Sequence, residues 1–283
     1  MVIKDLIIKI SKDFNNHFVD NALFEANLIV KTVLNLSPLD VVLKGKEPVS
    51  DADLKIIEEY SKRRISGEPL QYILGTQEFM GLEFRVNPSV LIPRGDTAIL
   101  VEHILEHFGG KPINVLDLCT GSGCIAISLA HFNKNALVTA VDISPDAIDT
   151  AKENAKILGV SDRVSFRVDD IFSMDFFGKF DLVVSNPPYI ESEVIPTLSG
   201  TVKDFEPISA LDGGSDGLEF YRFITKIAPR LLNKNGLLAF EIGYNQKDAV
   251  ENIMEGSFCN IKTVKDYGNC DRVVSGILKD GLF

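Results

Sequence analysis

From Ile113 onward, short apolar runs alternate with segments of helical period, and this alternation limits the fold more than any other feature of the chain. Residues 113–118, 136–141, 164–168, 180–185 and 237–242 each read as a strand. Between the second and third, Ser144-Pro145 supplies an N-cap and an N1 proline for a helix running to Leu158-Gly159. Strands that alternate with helices imply a parallel sheet covered on its faces, a doubly wound α/β fold. Residues 261–265 and 272–278 read as two short closing strands.

The first quarter of the chain is different. Apolar residues recur three and four apart (Leu6, Ile7, Ile10, Phe14), residues 21–36 continue the pattern, and Ser50-Asp51-Ala52-Asp53 marks another helix start. Strand-like alternation enters at Gln71-Tyr72-Ile73-Leu74-Gly75. It continues through Phe79, Leu82, Phe84 and Val86 to Val90-Leu91-Ile92, with turns at Gly81 and Asn87-Pro88. The expected division is a small helical domain at 1–75, a β linker at 76–93 and the α/β domain at 94–283. A length of 283 residues suits about two domains of roughly 150 residues each.

Composition excludes several classes. A net charge of −11 opposes extensive phosphate contact, so no stable nucleic-acid binding is expected. Cys119, Cys124, Cys259 and Cys270 form no C-x-x-C pair, which favours reduced thiols in a cytoplasmic protein. No run approaches 18 uncharged apolar residues and the N-terminus lacks a signal-peptide pattern, so no membrane association is expected. His103 and His107 lie four apart, but Glu102 and Glu106 beside them suggest an exposed polar face, and no metal is expected.

Two motifs carry chemistry. Asp117-Leu118-Cys119-Thr120-Gly121-Ser122-Gly123-Cys124 closes a strand and opens a helix, where glycines let backbone turn tightly and approach a ligand. Asp142, about 20 residues beyond the turn, ends the next strand and suits ribose hydroxyls. Ala126 nearly completes a dinucleotide fingerprint, so a NAD-dependent oxidoreductase and a purely structural turn both stay open here.

The second motif, Asn186-Pro187-Pro188-Tyr189, follows a buried strand at its carboxyl end. Both prolines lack an N–H, and residues before proline are pushed to extended backbone. The Asn186 side-chain carbonyl and the Pro187 carbonyl can then act as two fixed acceptors for a planar NH2 group, with Tyr189 as a stacking face. Such a loop suits methylation of an amide or amino nitrogen. An amino group of DNA or RNA fits it as well as a protein amide. Glu241, at another strand end, reads equally as a site acid or a structural carboxylate. Adjacent Asp169 and Asp170 are expected to diverge, and Gly213-Gly214-Ser215-Asp216-Gly217 reads as a turn and helix start.

Together these residues resemble the HemK/PrmC-type glutamine N5-methyltransferases that modify peptide chain release factors. The resemblance spans nearly the whole chain. It includes Arg63-Arg64 with Gly67-Glu68-Pro69-Leu70-Gln71-Tyr72-Ile73-Leu74-Gly75, then Glu78-Phe79 with Gly81-Leu82 and Phe84, and Leu91-Ile92-Pro93-Arg94. It continues in the Asp117 turn, the Asn186 loop, Glu206-Pro207, Ala210-Leu211, Asp216-Gly217-Leu218 and Asp271-Arg272-Val273. It implies a seven-stranded, Rossmann-like methyltransferase sheet with a helical N-terminal domain that helps grip a release factor. It also implies S-adenosylmethionine as cofactor, held by Cys119, Thr120, Gly121, Ser122, Gly123, Asp142, Asp170, Ile171 and Asn186. The glutamine of a Gly-Gly-Gln loop would sit on Asn186, Pro187, Pro188 and Tyr189. The chain departs from the family at Gly95 and Ala98, where a proline and a glutamate are usual. Cys119 replaces the first glycine of the turn, which a negative φ would accommodate, and Ile171 replaces an aromatic residue beside the adenine.

Overall fold

A computed structural model describes residues 1–173, 175 and 178–282. The chain forms two compact units, Met1–Gly75 with Gly200–Phe205, and Thr76–Ser199 with Glu206–Phe283.

The first unit is helical: α1 (Ile3–Asn16), α2 (Ala22–Val33), α3 (Pro38–Leu43), α4 (Asp51–Ile65) and α5 (Leu70–Leu74). Leu6, Ile10 and Phe14 of α1 bury against Ala26, Ile29 and Val30 of α2 and Ile57 of α4. Ser37 and Ser50 cap α3 and α4 through the Asp40 and Asp53 amides. Arg64 and Glu25, both largely buried, join α4 to α2 at 2.5 Å, and Arg63 grips Glu68 through two hydrogen bonds at 2.8 and 2.6 Å. The strand expected at 71–75 is absent; those residues complete α5, which Gly75 ends at φ 76°.

The second unit opens with an antiparallel hairpin, β1 (Thr76–Phe79) and β2 (Leu82–Arg85). No strand forms at 90–92, where the chain stays irregular up to α6 (Thr97–Phe108). Then follow β3 (Ile113–Leu118), α7 (Cys124–Phe132), β4 (Ala136–Asp142), α8 (Pro145–Ile157), β5 (Val164–Val168) and β6 (Phe180–Ser185). A short helix, α9 (Gly200–Lys203), belongs to the first unit. The chain ends with α10 (Glu219–Leu231), β7 (Leu232–Glu241), α11 (Lys247–Met254), β8 (Phe258–Lys265) and β9 (Asp271–Leu278).

Strands β3 to β9 make one seven-stranded sheet in the order β5-β4-β3-β6-β7-β9-β8. The expected fold is present with one correction, since β9 runs antiparallel to both its neighbours. A short turn, closed by Asp266 N–H to Cys270 O at 2.8 Å, reverses the chain after β8 and sends β9 back between β8 and β7. Side chains alternate between the two faces, as a pleated strand requires. Val115 joins the layer of α6 and α7, while Leu116 joins that of α10 and α11. Strand order reverses at β3, which pairs with β4 on one side and β6 on the other. A crevice at the carboxyl ends is where open α/β sheets bind ligands.

Asn154 of α8, fully buried, ties the hairpin to this frame. It accepts from the Arg85 amide at 2.6 Å and donates to Arg85 O at 3.0 Å and Ser122 O at 2.9 Å. Asn154→Ala removes all three bonds and strands buried polar groups, so it should cost about 2–4 kcal/mol. Urea unfolding measures this; an unchanged midpoint would show that the hairpin is anchored elsewhere. Among the described residues, no helix is long and apolar enough to cross a membrane.

Candidate active site

Strand register assembles the site. Leu118 pairs with Val141 and with Ser185, and Ser185 pairs with Phe240. The residues that follow these, Cys119, Asp142, Asn186 and Glu241, therefore emerge side by side at the carboxyl edge. The Ser185 hydroxyl donates to Leu118 O at 2.6 Å and locks β6 to β3 at this level.

The turn after β3 is held by its own chemistry. The Thr120 hydroxyl donates to Asp117 Oδ2 at 2.6 Å, and the Gly121 amide donates to Asp142 Oδ2 at 2.8 Å. The other Asp142 oxygen accepts from the Ser144 amide at 3.0 Å. Cys119 has φ 62°, which overturns the expectation of a negative angle. A left-handed side chain there costs about 1–2 kcal/mol, a strain that glycine would not carry. Gly123, at φ 80°, serves packing: a Cβ there would lie 2.8 Å from Ile127 Cδ1 and 3.1 Å from the Ala151 methyl.

A cavity of about 530 Å³ opens above these ends, within the usual range for a small-molecule site. Of the residues expected to act, Cys119, Thr120, Gly121, Ser122, Asp142, Asp170, Ile171, Asn186 and Pro188 line it. Gly123, Pro187 and Tyr189 do not. Tyr189 packs on the core below β6 and β7, and its carbonyl accepts from Gln246 Nε2 at 3.0 Å. Asp169 turns to Arg167 while Asp170 caps the Phe172 amide, so the two carboxylates diverge as expected.

Three carboxyls stand at this sheet edge, Asp117 and Glu241 buried and Asp142 half-buried. Burial raises the Asp142 carboxyl against its two amide hydrogen bonds. Burial pushes Asp117 up to about 7, although the Thr120 hydroxyl opposes the rise. Burial likewise lifts Glu241 to about 7; hydrogen bonds from Thr97 and Asn186 and the charge of Arg272 oppose it, and Asp96 adds to it. Burial also pushes the Cys124 thiol up to about 12 and raises that of Cys119 further.

Comparison with known proteins decides the family. A profile described as "Methyltransferase domain" matches residues 110–273, and one described as "PrmC N-terminal domain" matches residues 5–75. The "Release factor glutamine methyltransferase" of Clostridium acetobutylicum is 41% identical over 98% of this chain and 99% of its own. The protein of the same name from Geobacter sulfurreducens is 42% identical over 91% and 90%. The chain belongs to the release factor glutamine methyltransferase family. A methyltransferase from Pyrococcus furiosus shares the fold, with a TM-score of 0.53 at 20% identity over 70% of this chain and 89% of that one. Membership sets aside the NAD-dependent oxidoreductase.

Against the family pattern, the structure explains what the departures do. Ile171 is buried in the core and reaches the cavity from below, while the aromatic surface on the cavity wall comes from Phe172 and Phe220, 5.1 Å apart. Gly213 and Gly217 back the loop of Asn186 to Tyr189 instead of merely starting a helix. A Cβ at Gly213 would lie 2.7 Å from Tyr189 Cα, and one at Gly217 would collide with Tyr189 O. Arg94 lines the cavity and pairs with buried Glu206 at 2.5 Å. His103 is half-buried, not exposed, and bonds Ser275 at 2.9 Å. Thr97, Phe172, Phe220 and Gln246 escaped sequence reasoning. Only Gln246 carried a signal, as a polar residue just past the end of β7.

The Asp117 carboxyl titrates near 3.8 when unfolded and at about 7 when folded. Between these values the folded state holds the extra proton, so this group makes stability fall as pH rises. Asp117→Asn abolishes that titration. Relative to the parent, the variant should gain stability progressively from about pH 4 to pH 7 and hold a constant difference above it. Denaturation curves across this range that stay parallel would contradict the assignment.

Proposed function

We propose that this chain transfers the methyl group of S-adenosylmethionine to the side-chain amide nitrogen of the glutamine in the Gly-Gly-Gln motif of a peptide chain release factor. The carrying observation is that the glycine turn and Asn186, on hydrogen-bonded neighbouring strand ends, line one cavity. The residues fit the cofactor. Asp142 and Asp170 offer carboxylate acceptors on the wall for hydroxyl and amino groups, and Ile143, Ile171 and Phe172 offer apolar surface for a purine. Bound there, the cofactor supplies an electrophilic methyl group on a sulfonium.

The chain's own residues then position the acceptor. Asn186 takes one hydrogen of the glutamine NH2 on its side-chain carbonyl. We assign the other to the Pro187 carbonyl, which leads into Pro188 on the cavity wall and is followed by a residue with no N–H. With both hydrogens held in plane, the nitrogen lone pair faces the methyl carbon. The N–C bond would form at the expense of the methyl–sulfur bond that the cofactor brings, and the amide nitrogen would then release a proton. An amide is a weak nucleophile, so alignment carries the rate; at the extreme it supplies about 7–11 kcal/mol. Pro188 and the Gly213–Gly217 backing keep the loop from yielding. The helical first unit is the part we assign to gripping the release factor.

Asn186→Ala should lower kcat by at least about 100-fold, because positioning is lost, while the dissociation constant for S-adenosylmethionine stays within about twofold. Single-turnover methyl transfer to a release factor, with calorimetry for the cofactor, measures both. A variant with parental kcat would refute the acceptor loop.

A further inference from the structure

We infer that Glu241 is a positioning residue: with Thr97 it holds the NH2 end of the Asn186 side chain, so that the Asn186 carbonyl oxygen is the end presented to the substrate amide. The inference rests on the reading of Asn186 as an acceptor and adds what makes it one. An asparagine side chain has two donors on one branch and an acceptor on the other, nearly identical in shape. Flipped by half a turn, Asn186 would meet the glutamine NH2 with its own NH2 and repel it. Something must decide the orientation.

Glu241 occupies the place where that decision is made. The pairing of Ser185 with Phe240 puts Asn186 and Glu241 at adjacent ends of β6 and β7. Glu241 is 2% exposed, and the Tyr221 hydroxyl donates to its carbonyl at 3.0 Å, which fixes the backbone from below. Asn186 Nδ2 donates to the Thr97 hydroxyl at 3.4 Å, and the polar groups of Thr97 and Asn186 beside the Glu241 carboxyl lower its proton affinity. Thr97 is itself 2% exposed at the start of α6. The nearby cation, Arg272, is committed to Asp96 at 3.2 Å and Asp266 at 3.0 Å, so its salt bridges lie elsewhere. Glu241 Oε2 keeps no hydrogen-bond partner among the described residues. In its ionised form Glu241 offers lone pairs only, and it then accepts from an NH2 group where it would repel a carbonyl. Ionised Glu241, with the Thr97 hydroxyl beside it, thus forms a floor that favours one orientation of Asn186.

The test is a reversal of hydrogen-bond polarity, read in methyl transfer to a release factor with the cofactor KM followed in parallel. Glu241→Ala should lower kcat roughly 10- to 100-fold with the cofactor KM unchanged, and Glu241→Gln, which keeps an acceptor oxygen, should recover part of the loss. Asn186→Asp sets two carboxyls face to face and should be nearly inactive. Adding Glu241→Gln to Asn186→Asp lets the introduced amide donate to the introduced carboxylate and frees its other oxygen for the substrate. This double variant should exceed Asn186→Asp at least about 10-fold, a gain that a merely structural role for Glu241 cannot produce. A double variant no better than Asn186→Asp, or a Glu241→Ala enzyme with parental kcat, overturns the inference. Activity in Asn186→Ala would instead fail the acceptor-loop reading itself, so the two failures are distinguishable.

Discussion

The site depends on the hydrogen-bond ladder that runs through β4, β3, β6 and β7. These strands are parallel and share one register at their carboxyl ends, so four loops start in a row, each one strand spacing from the next. Parallel strands lie roughly 4.8 Å apart. That spacing sets how far a group on the turn after β3 stands from one on the loop after β6, and it admits no slippage. A slip by one residue would exchange Leu118 for Asp117 and turn every buried side chain to the opposite layer. Both layers are filled, by Val115 and Val184 on one face and by Leu116 and Val183 on the other, so the cores enforce the ladder that the chemistry needs.

That arrangement has a cost in polar burial. Asp117, Asp142 and Glu241 are held at the same sheet edge with their proton affinities raised by burial. Asp142 offsets the cost with two backbone amides, whereas Asp117, bonded to one hydroxyl, and Glu241 each leave one oxygen without a partner among the described residues. Buried polar atoms without partners are rare in folded proteins and concentrate where function asks for them. The acceptor loop is rigid for complementary reasons: prolines restrict its torsions, and Gly213 and Gly217 let another segment press against its backbone at distances no side chain would allow.

Much of this could be read from the sequence, and the exceptions have physical causes. β3 and β6 stand where apolar runs marked them, because a strand buried on both faces leaves a nearly continuous apolar signature, and β5, largely exposed at the sheet edge, also keeps its expected bounds. β7 starts five residues earlier than its apolar run, since Asn233, Lys234 and Asn235 sit at an exposed start that looks like loop. The direction of β9 is set by a turn at 266–270, and hydropathy says nothing about direction. The run 90–92 is apolar because it lies buried beside the cavity, not because it pairs. For the site, the glycine turn, Asp142 and Asn186 were visible as motifs at strand ends. Thr97, Phe172, Phe220 and Gln246 come from separate parts of the chain, and only the folded sheet brings them to one crevice. The left-handed Cys119 was misjudged because a cysteine gives no conformational cue where a glycine would.

All of these features converge on a crevice that presents one planar amide, that of a glutamine, to the methyl donor. The most direct test offers the enzyme labelled S-adenosylmethionine with a release factor, the same factor carrying Gly-Gly-Gln→Gly-Gly-Ala, and DNA and RNA as parallel acceptors, followed by peptide mapping of the label. Label is expected on the glutamine of the unaltered factor, with none on the altered one. Label that persists on the altered factor, or appears on nucleic acid alone, would contradict this mechanism.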